Sequence, residues 1–174
     1  MEKLFYLIFS VSGQNIFFDS VIIFFGTYFA MIAGGIFILL AFWYYMADER
    51  KYSRAIILGL ISAFFARYGI VSLIRIYYQS PRPFTFLDIN NLIFDSNYSF
   101  PSGHAMFFFT LGTVRYAVNK KMAWFAYISG FVIGIARIAG GVHWPTDILG
   151  GMILGIVFGI IVNWANSNFM ASSR

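Results

Sequence analysis

Five long apolar stretches constrain this chain more than any other feature of its sequence. They lie at about 21–46, 53–77, 102–118, 122–139 and 146–165, and about 20 apolar residues of helix cross a bilayer. Hydrophobic residues make up 60% of the chain and charged residues 11%, whereas soluble domains have about 25% charged residues. A soluble domain of this length cannot bury so much apolar surface. The sequence therefore predicts an all-α integral membrane helical bundle with five transmembrane helices, and residues 1–174 form a single membrane-embedded domain.

The residues ahead of the first predicted span form a sixth apolar stretch of a different kind. Residues 4–18 are mostly apolar, but Ser12, Gly13, Gln14 and Asn15 interrupt them. An interrupted stretch does not supply a continuous apolar helix for a full crossing. We expect an N-terminal interfacial or re-entrant helix here.

Basic residues predict the orientation of the bundle. Three of them lie at 50–54 after the first span, and Lys120 and Lys121 follow the third, so both turns lie on one side. Lys and Arg concentrate on the cytoplasmic side of membrane proteins. The loop 78–101 and the turn 140–145 then face away from the cytoplasm. We expect a multi-pass protein of the inner (plasma) membrane whose polar site lies on the extracytoplasmic face.

Charge and glycine spacing indicate the binding partners. The formal net charge of +5 favours contact with membrane lipids, and the basic residues form no patch that would bind nucleic acid. Gly151, Gly155 and Gly159 form a GxxxGxxxG ridge on the fifth span. Such ridges mark close helix contacts, which we expect inside one bundle, with a homodimer face as the alternative.

The outward loop ends in a pattern typical of an anion-binding helix terminus. Pro101 fits just before a helix, and Ser102 is a good N-cap residue. The backbone N–H groups of Gly103 and His104 then point outward with the positive end of the helix dipole. The start of the third span is therefore a candidate anion site.

The second outward turn supplies a histidine with an orienting carboxylate. Pro145 fits the first turn of the fifth helix, so Asp147 can accept a hydrogen bond from one ring nitrogen of His143. The other ring nitrogen is then free to act as nucleophile or base. Planar guanidinium groups, which suit phosphate oxygens, lie near the same outer ends: Arg75, Arg82 and Arg137. Together these residues predict a phosphoryl-transfer site.

Three motifs in this region resemble those of the type 2 phosphatidic acid phosphatase superfamily. They are R-x6-R-P from Arg75, P-S-G-H from Pro101 and R-x5-H-x3-D from Arg137, in that family's order. The chain looks most like the bacterial undecaprenyl pyrophosphate phosphatases of the bacitracin-resistance type, because it is short and contains FFDSVIIF and NNLIFDSNYSFPSGHA. The resemblance implies an integral-membrane lipid phosphatase that uses a phosphohistidine intermediate.

The resemblance also implies a role for each residue of the site. His143 attacks phosphorus and becomes the phosphohistidine, while Asp147 holds His143. His104 protonates the departing oxygen and later activates water. The phosphate oxygens are held by five residues: Arg75, Arg82, Ser102, Gly103 and Arg137. Neither a metal ion nor a cofactor is expected, and the sequence has no cluster of carboxylates to bind a metal.

Several substrates and two other activities remain open from the sequence. The expected reaction converts undecaprenyl pyrophosphate to undecaprenyl phosphate and phosphate. Alternatives are a phosphatase for phosphatidic acid, phosphatidylglycerol phosphate or lipid A phosphate, and a lipid phosphotransferase using the same intermediate. A non-enzymatic channel or lipid-binding protein would need no pair like His143 and Asp147, and it would release no phosphate from any lipid.

Arg67 lies near the middle of the second predicted span. A buried arginine that faces lipid is costly, so we expect it to face the bundle. Helix rise places it about 12 Å below Arg75, too deep for the second phosphate of a lipid pyrophosphate. We therefore expect a structural role, with hydrogen bonds to backbone carbonyls or polar side chains.

Overall fold

The computed structural model describes residues 2–172, which form helices and contain no strand within that range. The helices are α1 (Glu2–Phe9), α2 (Ile16–Met46), α3 (Arg50–Tyr77), α4 (Pro83–Phe86), α5 (Gly103–Tyr116), α6 (Lys120–Ala139) and α7 (Pro145–Ser172). Two of them contain one π-helical stretch each, Phe24–Tyr28 in α2 and Ala66–Ile70 in α3. The predicted all-α fold is confirmed.

Four helices, α2, α3, α6 and α7, are long and apolar enough to cross a bilayer. The predicted third span, α5, has 14 residues. Its length is about 21 Å, against a hydrocarbon core of about 30 Å. α5 packs against α3, α6 and α7, and most of its residues are buried. It is therefore the central helix of a multi-pass membrane bundle, where protein surrounds it instead of lipid.

The N-terminal helix is shorter than the apolar stretch that predicted it. α1 ends at Phe9, and Asn15 caps α2 by accepting hydrogen bonds from backbone N–H groups, so residues 16–18 belong to α2. Phe5 is fully buried and its ring lies 5.1 Å from that of Trp144, just before α7. The interruption at 10–15 thus separates two helices, and α1 packs against the end of the bundle that carries the outward turn.

The glycine ridge on α7 packs against α5. A side-chain carbon added to Gly151 would lie 2.6 Å from the carbonyl oxygen of Ser102, and one added to Gly155 would lie 2.7 Å from that of Met106. A carbon on Gly159 would also contact α5, 2.5 Å from the side chain of its Thr113. The ridge therefore serves packing within one chain, as expected, and brings the N-terminus of α5 against the first turn of α7.

Gly155→Ala should destabilise the protein, because the new methyl group meets backbone that cannot move without shifting α5. Overpacking of this kind costs about 1–3 kcal/mol. Gly34→Ala is the matched control, since no atom lies within 4 Å of the corresponding position on α2. Thermal unfolding in detergent should show a lower midpoint for Gly155→Ala alone. Equal midpoints for the two variants would contradict the close α5–α7 contact.

Candidate active site

The loop before α5 and the turn before α7 meet at one end of the bundle. The backbone N–H groups of Leu92 and Ile93, in the loop, donate to the carbonyl of Gly140, in the turn, at 3.1 and 3.3 Å. This contact joins segments that are far apart in the sequence. The structure brings all eight predicted site residues to this end: Arg75, Arg82, Ser102, Gly103, His104, Arg137, His143 and Asp147.

His143 and Asp147 form a buried pair. Nδ1 of His143 lies 3.2 Å from Oδ2 of Asp147, and each residue is 1% exposed. The same carboxylate oxygen accepts a hydrogen bond from the backbone N–H of Trp144 at 2.7 Å and another from the hydroxyl of Ser99. With its proton on Nδ1, His143 has an unprotonated Nε2, and its side chain lines a cavity. This is the arrangement of an oriented nucleophile.

The surroundings of His143 keep its ring neutral. Burial is the largest cause that lowers its pKa well below the ordinary value of 6.5, followed by the positive charges of Arg137, Arg82 and Arg75. Both causes oppose a second proton on the imidazole. The lone pair on the second ring nitrogen is therefore available at neutral pH.

The N-terminus of α5 lies beside this pair. Ser102 is the N-cap residue, and its side chain accepts a hydrogen bond from the backbone N–H of Ala105 at 3.4 Å. Its own backbone N–H donates to the carbonyl of Asp147 at 3.0 Å. Gly103 and His104 line the same cavity as His143. The helix terminus, with its positive dipole end, thus adjoins the same cavity as His143.

Asp95 bridges two of the predicted arginines. Its Oδ1 lies 3.0 Å from Nη2 of Arg82, and its Oδ2 lies 2.8 Å from Nη2 of Arg137. Burial raises the pKa of Asp95, but the charge of Arg82, the N–H of Asn97 and the charge of Arg137 outweigh it, so the pKa lies below its ordinary value. An ionised Asp95 therefore compensates the charge of this arginine pair.

Two arginine donors in the site have no acceptor. The Nε groups of Arg75 and Arg137 are buried and make no hydrogen bond in the part of the chain that the structure describes. Arg75 is held in place by its Nη2, which donates to the carbonyl of Pro101 at 2.9 Å. Buried donors without a partner are uncommon in native proteins and each calls for an explanation. Phosphate oxygens are suitable acceptors for them.

A cavity of about 450 Å³ lies beside these groups and is lined by Arg67, Arg75, Asp95, His104 and His143, among others. Four of the predicted site residues adjoin this lining without belonging to it: Arg82, Ser102, Arg137 and Asp147. Within residues 2–172 no group of three or more His, Cys, Asp or Glu side chains could hold a metal ion. Arg67 makes no hydrogen bond to the described part of the protein, and its guanidinium carbon lies 5.4 Å from the centre of the Tyr68 ring. The prediction that Arg67 pairs with backbone or polar groups is therefore wrong.

Sequence reasoning missed Asp95 and Ser99. A signal for Asp95 existed, because three arginines that meet at the end of an apolar bundle need a compensating negative charge. Two aspartates lie in the loop that precedes α5, Asp88 and Asp95, and either was a candidate. The sequence carried no comparable signal for Ser99, whose role depends on the fold of the loop over α7.

Comparisons with known proteins identify the family and the fold of this chain. A family model described as the PAP2 superfamily matches residues 54–171. The bacitracin transport permease protein BcrC of Bacillus licheniformis is 30% identical over 123 residues, which are 70% of this chain and 60% of that protein, less than two thirds of its length. The undecaprenyl-diphosphatase BcrC of Bacillus subtilis (strain 168) is 30% identical over 160 residues, 91% of this chain and 80% of that protein. Among solved structures, Aquifex aeolicus LpxE superposes with a TM-score of 0.70 at 30% identity, covering 92% of this chain and 93% of that one.

Ser99→Ala should lower turnover because it removes a hydrogen bond that fixes the carboxylate of Asp147. A hydrogen bond to a charged group is worth about 1.5–3 kcal/mol, so kcat should fall roughly ten- to hundredfold while KM changes little. Ser96→Ala, on an exposed residue of the same loop, is the control. Phosphate release from a lipid phosphate gives both constants. A Ser99→Ala protein with the kcat of the control would contradict this positioning role.

Proposed function

Because the chain belongs to the PAP2 superfamily, whose membrane members are lipid phosphatases, we propose that it hydrolyses a lipid pyrophosphate, with undecaprenyl pyrophosphate as the best candidate. The products would be undecaprenyl phosphate and inorganic phosphate. The observation that carries the proposal is the buried His143–Asp147 pair beside buried arginine donors that lack an acceptor. Together they supply a nucleophile and a binding site for the group it attacks.

The first chemical step transfers the terminal phosphoryl group to the protein. The Nε2 lone pair of His143 attacks the terminal phosphorus, and the bond from phosphorus to the bridging oxygen breaks. His104 gives its proton to the departing lipid phosphate. The hydrogen bond to Asp147 stabilises the positive charge that develops on the ring of His143.

The second step reverses the roles. His104, now neutral, takes a proton from a water molecule, whose oxygen attacks the phosphorus of the phosphohistidine. The nitrogen–phosphorus bond breaks, inorganic phosphate leaves, and His143 returns to its neutral form. If a lipid hydroxyl attacked the phosphohistidine in place of water, the same intermediate would give a phosphotransferase reaction instead of hydrolysis.

Positive charge in the site replaces the metal ion that many phosphoryl-transfer enzymes use. The guanidinium groups of Arg75, Arg82 and Arg137 and the amide of Gly103 hold the oxygens whose charge is redistributed in the transition state. Ser102 supports this helix terminus as its N-cap residue. Asp95 compensates two of these charges in the free protein. The mechanism therefore needs neither a divalent metal nor a cofactor.

One comparison supports an undecaprenyl substrate over other lipid phosphates. The relative named undecaprenyl-diphosphatase matches 91% of this chain. The polar cavity also adjoins an apolar groove between helices, which suits the tail of any lipid substrate that stays in the bilayer. Phosphatidic acid, phosphatidylglycerol phosphate and lipid A phosphate present the same terminal group and are the competing substrates.

The purified protein should release phosphate from undecaprenyl pyrophosphate in detergent containing EDTA, faster than from those three competing lipids. His143→Ala should abolish release, and Asp147→Asn should leave a small residual rate, since the nucleophile remains but its orientation is lost. Asp88→Asn, on an exposed residue, is the matched control and should behave like the unaltered protein.

Four results would contradict this proposal or part of it. Near-normal release by His143→Ala would exclude the covalent mechanism. Activity restored only by Mg²⁺ after EDTA treatment would exclude metal independence. A clear preference for another lipid of the panel would reassign the substrate, and no release from any lipid would favour a non-enzymatic role.

We further propose that the site faces the extracytoplasmic side of the plasma membrane, because the basic turns lie at the opposite end of the bundle from the cavity. The chain has no cysteine, so single cysteines report position cleanly. In intact cells an impermeant maleimide should label Asn90→Cys, in the loop before α5, and should label Lys121→Cys only after lysis. The reverse pattern would overturn this orientation.

A further inference from the structure

We propose that Arg67 binds the second phosphate of a lipid pyrophosphate, the one that stays on the lipid, and so favours pyrophosphate over monophosphate substrates. This inference rests on the proposed hydrolysis of lipid phosphates and adds the residue that distinguishes between them. Four observations carry it: the register of α3, the position of the side chain beside α5, its lack of a protein partner, and the cavities that meet at it.

The π-helical stretch in α3 places Arg67 on the same face as Arg75. The backbone N–H of Val71 donates to the carbonyl of Ala66, five residues earlier, instead of four as in an α-helix. One residue is thereby added to the turn, so Arg67 and Arg75 have the relative position of residues seven apart, about 20° from two full turns. Arg67, Val71, Arg75 and Gln79 accordingly line one cavity.

The side chain of Arg67 lies beside the N-terminus of α5. A carbon added to Gly103 would lie 3.4 Å from Cγ and 3.8 Å from Nη1 of Arg67. Gly103 is the first residue of α5, where the free backbone N–H groups and the positive dipole end face the cavity. The guanidinium of Arg67 thus adjoins the proposed phosphate site. The Cα atom of Arg67 lies about 10 Å before that of Arg75 along α3, which is deeper in the bundle.

Arg67 differs from the other arginines of the site in having no acceptor. Arg82 and Arg137 are paired with Asp95, and Arg75 donates to the carbonyl of Pro101. In the described part of the chain Arg67 makes neither a hydrogen bond nor an ion pair, and its guanidinium lies 5.4 Å from the ring of Tyr68. A half-buried charge without a partner is costly, and an anionic ligand would compensate it.

Two cavities meet at Arg67. His143 lines the polar cavity. An apolar cavity of about 330 Å³ lies between α2, α3 and α5, and Met31 and Phe64 are among the residues that line it. Arg67, Tyr68 and His104 line both. We assign the apolar cavity to the first part of the hydrocarbon chain of the same substrate. The phosphate attached to that chain must then lie between the two cavities, next to Arg67 and to the histidine that protonates it.

The test compares two substrates with the same tail, farnesyl pyrophosphate and farnesyl phosphate. Arg67→Met keeps the length of the side chain and removes its charge, so the ratio of kcat/KM for pyrophosphate to that for monophosphate should fall roughly tenfold or more. Arg67→Lys keeps the charge and should recover part of the ratio. Arg54→Met, the same change at an exposed position of α3 far from the cavity, should leave the ratio unaltered.

A structural role for Arg67 would give a different result. The thermal midpoint would fall, both substrates would lose activity in the same proportion, and the unchanged ratio would overturn the inference. If Arg67→Met does not fold, the ratio is measured with Arg67→Gln, and the same criterion applies. An unaltered protein that hydrolyses neither these two substrates nor undecaprenyl pyrophosphate would instead refute the proposed function, and with it this inference.

Discussion

The burial of several like charges at one end of an apolar bundle is the constraint on which the rest of the structure depends. Arg82 and Arg137 are each almost completely buried. Without a negatively charged partner the two guanidinium groups would repel one another, and burial would cost each of them its hydration. Asp95 compensates both, and the backbone carbonyls of Val142 and Gly26 accept further hydrogen bonds from them at 2.6 and 3.1 Å. The ion-pair bridge therefore joins the loop before α5 to the end of α6 and fixes the positions of both arginines.

A short central helix, α5, carries the candidate site at its N-terminus. α5 is about 9 Å shorter than the hydrocarbon core of a bilayer. Its two ends therefore cannot reach both membrane surfaces, as the ends of a full span do. Small residues on α7 allow its backbone to contact that of α5, which fixes the N-terminus of α5 against the first turn of α7. The carbonyl of Asp147 accepts from the N–H of Ser102, and the carboxylate of the same residue orients His143. One residue, Asp147, thus connects the N-terminus of α5 with His143.

Much of this site could be predicted from the sequence, because its parts follow from local chemistry. The pairing of His143 with Asp147 needs a spacing of four residues and a helix that begins at Pro145, and both can be read directly. The bridge made by Asp95 depends on the path of a long loop, which no local pattern specifies. The sequence places Arg67 on the bundle side of α3 but predicts protein partners that it lacks. The π-helical stretch, which sets the direction of its side chain, has no recognisable sequence signal. The length of α5 was likewise overestimated, since apolar residues continue beyond the end of the helix.

The central claim is that His143 carries the phosphoryl group between the two steps, and chemical trapping tests it most directly. The protein is mixed with a lipid pyrophosphate labelled in its terminal phosphate, quenched in alkali within one turnover and digested for mass spectrometry. The account predicts label on the peptide that contains His143, in an acid-labile form, and no label on the His143→Ala protein. Label on any other residue, or a burst of product without labelled protein, would contradict it.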